Sequence, residues 1–198
     1  MRKQKKGLLV ILSGPSGVGK ETVRARLMEI KKFELIYSIS MTTRAPRGQE
    51  VDGINYYFVS EKEFEENIKR DNFLEYARFV GNYYGTPKDK IEELRNAGHN
   101  VLLEIEINGA RQVMSHANDE GVISFFLMPP SLEDLESRIR KRKTESEEMI
   151  LERLNKGKEE MTMTKDYDYV ILNDKVDRAA KEISDLIEEK IKKLNKDD

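Results

Sequence analysis

The sequence predicts an α/β fold in which a parallel sheet is covered by helices on both faces. Short apolar runs rich in β-branched residues recur along the chain, helical periodicity fills the stretches between them, and a glycine-rich loop joins the first run to the first helix. Continuous apolar runs are what strands buried on both faces require.

The first run, residues 8–12, leads into Ser13-Gly14-Pro15-Ser16-Gly17-Val18-Gly19-Lys20, and a periodic segment follows over 22–31. The spacing Gly14-x4-Gly19-Lys20 matches the loop in which backbone N–H groups cradle phosphates and the lysine reaches the β- and γ-phosphates. A strand fixes one end of such a loop, and the new helix aims its N-terminal amides and positive dipole end at the anion. A bare glycine turn between strand and helix is the other reading. Glu21 follows the lysine where Ser or Thr is usual, and Thr22 comes one place later.

From residue 34 to 87 the rhythm changes to SISMTT, YYFVS and FLEYARFVGNYYG, with turn signals at Arg47-Gly48, Asp52-Gly53 and Gly81-Asn82. This predicts a small, mostly antiparallel subdomain inserted into a core made of residues 1–33 and 88–198. Strands are expected over 101–107, 122–128 and 169–172, with helices over 88–97, 110–117, 132–142, 147–163 and 176–194. The polar run RIRKRKTESEE separates two of these helices and marks a mobile lid over 138–150. The ligand crevice is expected at the carboxyl ends of the strands, where the Gly14 loop sits.

Charged residues make up 36% of the 198, against roughly 25% in an ordinary domain. Basic and acidic groups nearly cancel to a formal −2, so no global attraction to nucleic acid or an anionic membrane is expected, and any anion site must be local. With no cysteine, disulfides and thiolate metal sites are excluded, which suits a reducing cytosol. The basic start MRKQKKG precedes an apolar stretch too short for a signal peptide, and no transmembrane run follows. A cytoplasmic location is expected.

Several residues stand out chemically. Arg44 and Arg47 lie three apart beside hydroxyls, and guanidinium forks suit a second phosphate. Tyr56, Tyr83 and Tyr84 cluster with Glu75, either as a small β core or as the walls of a pocket with a carboxylate inside. An ionised carboxylate accepts two hydrogen bonds, matching the adjacent N1–H and N2–H donors of guanine, a pair that adenine lacks. Glu104 and Glu106 in LLEIEING are expected on one face of a strand end, where a carboxylate can orient Mg2+ through water. Arg138 and Arg142 share a helix face and Arg153 follows on the next helix, as a solvated face or as cations carried by a closing lid. His99 and His116 are assigned no role.

The motifs SGPSGVGK, SISMTTRAPR, VDGINYYF, FLEYARFVGNYYGTP, LLEIEINGA, PPSLEDLESRI and YVILND occur in an order that resembles guanylate kinase, from Gly7 to about Leu194. The resemblance implies a P-loop NTPase fold with nucleotide-binding core, inserted GMP-binding subdomain and lid, and the reaction MgATP + GMP ⇌ MgADP + GDP. It places Gly14, Pro15, Ser16, Gly17, Val18, Gly19, Lys20, Glu21 and Thr22 on ATP, with Arg138 closing from the lid and Asn173 near adenine. Arg44, Arg47, Tyr56 and Tyr84 would hold the GMP phosphate, and Ser40, Glu75, Thr86 and Glu106 would face its base. Lys20, Arg44, Arg142 and Arg153 would be catalytic, and Thr22 and Glu104 would reach Mg2+ through water. Departures from the family pattern are Glu21, Gln49 in place of a common glycine, and KRKTE in the lid where GRGTE is usual. A non-catalytic guanylate-kinase-like interaction module is the alternative, although such modules typically carry a degraded loop and Lys20 is intact here. Another nucleotide kinase or a GTPase fits less well, since Glu75 argues against an adenine acceptor and GTPase guanine signatures are missing.

Overall fold

Five consecutive buried residues form the central strand β1 (Leu9–Ser13), and their alternation divides the core in two. The structure, a computed structural model, describes residues 5–79, 81–117, 119–141 and 146–196. Successive strand side chains point to opposite faces. Val10 and Leu12 therefore meet Val23, Leu27, Ala179 and Ile183 on one side, while Leu9 and Ile11 meet Ile91, Ile107, Ala110 and Val113 on the other. The first set comes from helices α1 (Lys20–Met28) and α7 (Val176–Leu194), the second from α3 (Lys88–Asn96) and α4 (Ile107–His116).

Strands β2 (Leu35–Tyr37), β7 (Asn100–Glu104), β8 (Val122–Met128) and β9 (Tyr169–Leu172) complete a five-stranded parallel sheet in the order β2-β7-β1-β8-β9. The chain passes to opposite sides of β1, so the carboxyl end of β1 is a topological switch point. The phosphate loop begins there.

Two expectations are corrected. Residues 35–37 belong to the core sheet rather than to the insert, pairing in parallel register with Asn100, Val101 and Leu102. Three residues are too few to announce a strand, but Phe33 and Leu35 are buried in the core. The strand expected over 101–107 ends at Glu104, because Glu106 caps α4 and accepts the Gly109 N–H at 3.0 Å. Satisfying an orphan helix donor outweighs one more strand residue. Glu104 and Glu106 therefore do not share a strand face.

The insert is a four-stranded sheet of β3 (Met41–Thr42), β4 (Tyr57–Phe58), β5 (Phe73–Phe79) and β6 (Asn82–Pro87), ordered β4-β3-β6-β5. Its pairs are antiparallel except β3 with β4. A helix that the sequence did not announce, α2 (Glu61–Lys69), covers it. Ser60 caps this helix, and Phe64 stacks against Phe73 and Tyr83 with centroids at 4.4 and 5.1 Å. Beyond β8, α5 (Leu132–Arg140) and α6 (Glu147–Glu160) pack through Leu135, Ile139 and Ile150. Of the departure at 141–145, Lys141 is the C-cap of α5, while Arg142 and residues 143–145 lie outside the described residues.

One buried cation ties the core together far from the loop. Arg95 is 1% exposed. It donates to the Gly7 carbonyl at 2.9 Å, to both Asp119 oxygens at 3.0 and 2.6 Å, and to the Gly121 carbonyl at 3.3 Å. The segment before β1, helix α3 and the turn before β8 thus meet on one guanidinium. Removing one partner of a buried pair typically costs about 3–5 kcal/mol. Because Asp119 keeps access to water, we expect Arg95→Met to lower stability by about 3 kcal/mol, on the order of 10 °C in Tm. A change in Tm under about 2 °C in calorimetry would show that this junction is not a structural requirement.

Candidate active site

The loop after β1 adopts its shape through glycine. Gly14, Gly17 and Gly19 have φ of +143, +90 and +98°, a region that L side chains rarely enter. Space forbids side chains as well: a Cβ on Gly14 would lie 2.4 Å from the Leu127 carbonyl oxygen, and one on Gly17 2.8 Å from Ile139 Cγ1. Gly19 is the N-cap of α1 and supplies no side-chain cap, so the first-turn amides and the dipole end face the loop. The Lys20 ammonium folds over the loop and donates to the carbonyls of Gly14 at 2.6 Å and Pro15 at 3.1 Å.

Three other elements grip this loop. Arg138 on α5 donates to the Val18 carbonyl at 2.8 Å and to the Asn173 carbonyl at 2.7 Å. The Asn173 amide, just past β9, donates to the same Val18 oxygen at 2.8 Å. From α6, Arg153 donates to Ser16 Oγ at 2.7 Å and Glu160 accepts the Ser16 N–H at 3.3 Å. A cleft of about 350 Å³ opens between Gly19, Thr22, Arg138 and Asn173. Asn173 Oδ1 is buried beside it with no hydrogen-bond partner among the described residues. Glu21 is exposed.

A second set of residues converges between β5, β6 and α4. Glu75 pairs with Thr86 across the sheet and accepts its hydroxyl at 2.6 Å. Gly109 lets α4 approach, since a Cβ there would lie 2.9 Å from Glu75 Oε2. Burial pushes the Glu75 carboxyl above the usual range, the Thr86 hydroxyl opposes this, and the charge of Glu106 adds to it. Here three predicted base-facing residues meet. Ser40, the fourth, contributes its carbonyl to the β3–β4 pairing by accepting the Tyr57 N–H at 2.9 Å.

Arg44 lies on the insert with its guanidinium 5.4 Å from the Tyr56 ring centroid and 5.8 Å from that of Phe58. It donates to both oxygens of Glu50 at 2.9 and 3.0 Å, and Glu50 also accepts the Arg47 N–H at 2.7 Å. The bond to Glu50 is the largest influence raising the Arg44 pKa, and a bond to Tyr84 contributes. Tyr84 meets Tyr56 edge-on at 6.2 Å. Alternation in β6 turns Tyr83 the other way, onto Phe64, so of the tyrosine pair one wall belongs to the insert's core and the other to the arginine cluster.

Glu104 ends β7 beside α1. Its Oε2 accepts from Arg24 Nε at 2.6 Å, and the Arg24 guanidinium lies 4.4 Å from the Tyr37 ring centroid. Burial raises the Glu104 carboxyl, Arg24 and Lys20 counter it, and Glu21 adds to it. Among the described residues no cluster of three metal-ligating side chains occurs. Arg24, Glu50, Gly109 and Glu160 were not singled out from the sequence. Arg24 had a faint signal, lying four residues from Lys20 on one face of α1.

A sequence profile of the guanylate kinase family matches residues 6–190. The guanylate kinase of Mesoplasma florum is 52% identical over 193 residues, 97% of this chain and 64% of that protein. That of Oceanobacillus iheyensis is 50% identical over 93% of this chain and 88% of its own length. The crystal structure of guanylate kinase from Anaplasma phagocytophilum superposes with a TM-score of 0.71 at 33% identity, covering 93% of this chain and 86% of that one. The chain spans a little under two thirds of the length of its Mesoplasma and Mycoplasma relatives, at 64% and 61%. With matches of this extent in sequence and structure, the chain belongs to the guanylate kinase family.

Proposed function

We propose that this protein transfers the γ-phosphoryl group of ATP to GMP, giving ADP and GDP, in the cytoplasm. The observation that carries the reading is the buried Glu75 carboxylate, paired with Thr86 and flanked by Glu106, on a scaffold that also holds a phosphate loop. A buried carboxylate costs stability unless hydrogen bonds satisfy it, and Thr86 supplies a bond to one of the two Glu75 oxygens. Guanine offers N1–H and N2–H side by side, and an ionised Glu75 accepts both. Arg44, Tyr56 and Tyr84 would hold the GMP phosphate, with Arg47 beside them on the same loop. The unpartnered Asn173 Oδ1 suits the exocyclic amino group of adenine in the adjoining cleft.

Transfer needs no covalent intermediate. A GMP phosphate oxygen attacks the γ-phosphorus in line, and the bond to the bridging oxygen of ADP breaks. Lys20, the α1 amides and the arginines neutralise charge spreading over the transferring group. Arg153, and Arg142 outside the described residues, would supply lid cations; Arg138, bound to two carbonyls, would fix the loop and face the adenine side. Thr22 and Glu104 offer hard oxygens, and a single carboxylate with a hydroxyl suits a largely hydrated Mg2+ shared with substrate phosphates. When bound, Mg2+ supplies charge neutralisation on the β- and γ-oxygens.

Lys20→Met is expected to lower turnover at least about 10³-fold with little change in Tm, because its ammonium meets the Gly14 and Pro15 carbonyls at a partly exposed loop and not the apolar core. Turnover within tenfold of wild type, at saturating ATP and GMP, contradicts its role.

Glu75→Gln separates the functional from the structural account. A hydrogen bond to a charged group contributes roughly 1.5–3 kcal/mol, so kcat/KM for GMP should fall at least about tenfold. The raised pKa means that stability is greatest below the ordinary carboxylate value and is lost as pH rises through the folded value. The neutral variant should therefore keep or raise its Tm at pH 7. A lower Tm with unchanged GMP kinetics would assign Glu75 to packing alone. In wild type, KM for GMP should also rise as pH falls through the raised Glu75 pKa. Glu75→Gln lacks that group, and an identical acid limb in both proteins would remove Glu75 from guanine recognition.

A further inference from the structure

Arg24 is used by neither half of the site as described, yet it stands between the phosphate loop and the last core strand before the insert. It lies one turn beyond Lys20 on α1, and its side chain is 24% exposed against 16% for Glu104. The guanidinium is held on two sides: Nε donates to Glu104 Oε2 at 2.6 Å, and Cζ lies over the Tyr37 ring, 4.4 Å from its centroid. Tyr37 ends β2, the last core strand before the insert, and the charges acting on its phenol include Glu104 and Tyr56. Arg24 bonds one Glu104 oxygen, Oε2, and the charge of Lys20 on the neighbouring loop also acts on this carboxylate.

We propose that Arg24 is a positioning residue for phosphoryl transfer, fixing Glu104 beside the phosphate loop and tying α1 to the root of the acceptor-binding insert through Tyr37. The proposal rests on the kinase reading above. An ion pair on an exposed surface contributes little, but this one is partly buried, and its orientation is restrained by an aromatic face. A carboxylate with several rotamers is thereby held in one. Residues that orient a liganding side chain in this way typically cost 10–100-fold in affinity or activity when removed. Lysine in place of arginine would keep the charge but lose the planar stack and the Nε geometry.

The test uses Arg24→Met, Arg24→Lys, Glu104→Gln and the Arg24→Met/Glu104→Gln double variant, each measured for steady-state kinetics and for calorimetric affinity toward ADP with Mg2+. Arg24→Met should lower kcat at least about tenfold, leave KM for GMP within about threefold, and weaken ADP–Mg2+ binding several-fold. Arg24→Lys should recover part of both losses. The double variant should be no worse than Glu104→Gln, since one residue acts through the other. A kcat within twofold of wild type overturns the proposal, as do losses that multiply in the double variant. Unchanged ADP–Mg2+ affinity beside a reduced kcat also overturns it, placing Arg24 on the reacting phosphate instead. If Arg24→Met fails to fold, Tyr37→Leu decides, because it removes the stack from a partly exposed ring. A several-fold loss of kcat with KM for GMP held supports the role, and wild-type kcat refutes it. Wild-type protein inactive with GMP would instead sink the kinase reading, a result that none of the variant ratios can mimic.

Discussion

The Val18 carbonyl oxygen, at the turn of the phosphate loop, accepts Arg138 and Asn173 at 2.8 Å each. Much of the site depends on that double acceptance. It fastens the loop to α5 on one side and to the end of β9 on the other. Gly17 must pass close under Ile139 for this to happen, and Gly14 must pass close to Leu127. The glycines are therefore needed twice, for left-handed backbone and for lack of a side chain. The Val18 carbonyl is engaged from behind, the Ser16 and Val18 N–H groups bond Glu160 and the Pro15 carbonyl, and α1 adds the positive end of its dipole. Positive potential is concentrated at one point in a chain whose net charge is −2. Under the proposed function, that local charge would let an acidic protein hold a polyphosphate without attracting polyanions generally.

The insert works by the opposite sign. Its central group is a carboxylate that the fold would rather have neutral, since burial and the nearby Glu106 both oppose ionisation of Glu75. Such a group costs stability when ionised alone, and under the proposed function two donors arriving together would offset that cost. Selectivity would then follow, because a base without paired donors leaves the carboxyl desolvated and unmatched. The arginine cluster is organised differently. Arg44 is held by both oxygens of Glu50 and sits over aromatic rings, so it is oriented before any phosphate approaches. Orientation fixed in advance is what lets a few residues act at low reorganisation cost.

What the sequence made legible followed from periodicity and spacing. The continuous apolar runs at 8–12, 122–128 and 169–172 located three parallel strands, and Gly14-x4-Gly19-Lys20 located the loop. Less was readable where three-dimensional pairing decides. Residues 35–37 form a core strand because β7 lies beside them, which no local pattern in a three-residue segment reveals. Helix α2 has a single buried residue, Phe64, whose partners are 9 and 19 residues onward, so periodicity could not mark it. The LLEIEING motif looked like one strand end and is in fact a strand end plus a helix cap. Capping and alternation compete there, and the unsatisfied amides at the start of α4 decide the outcome. Partners of the arginines were equally hidden: Glu50 for Arg44, Glu104 for Arg24 and Asp119 for Arg95 are set by folding across 6, 80 and 24 residues.

The central claim is that one protein combines an ATP-type phosphate loop with an insert that reads guanine. It is tested most directly by initial rates of ADP formation from ATP with GMP, AMP or UMP as acceptor, on the wild-type chain under one set of conditions. A site whose buried polar groups must be paired predicts kcat/KM for GMP above that for AMP by about 10³–10⁴-fold, with UMP no better than AMP. Comparable rates for GMP and AMP, or no ADP formed with GMP at all, would contradict the account.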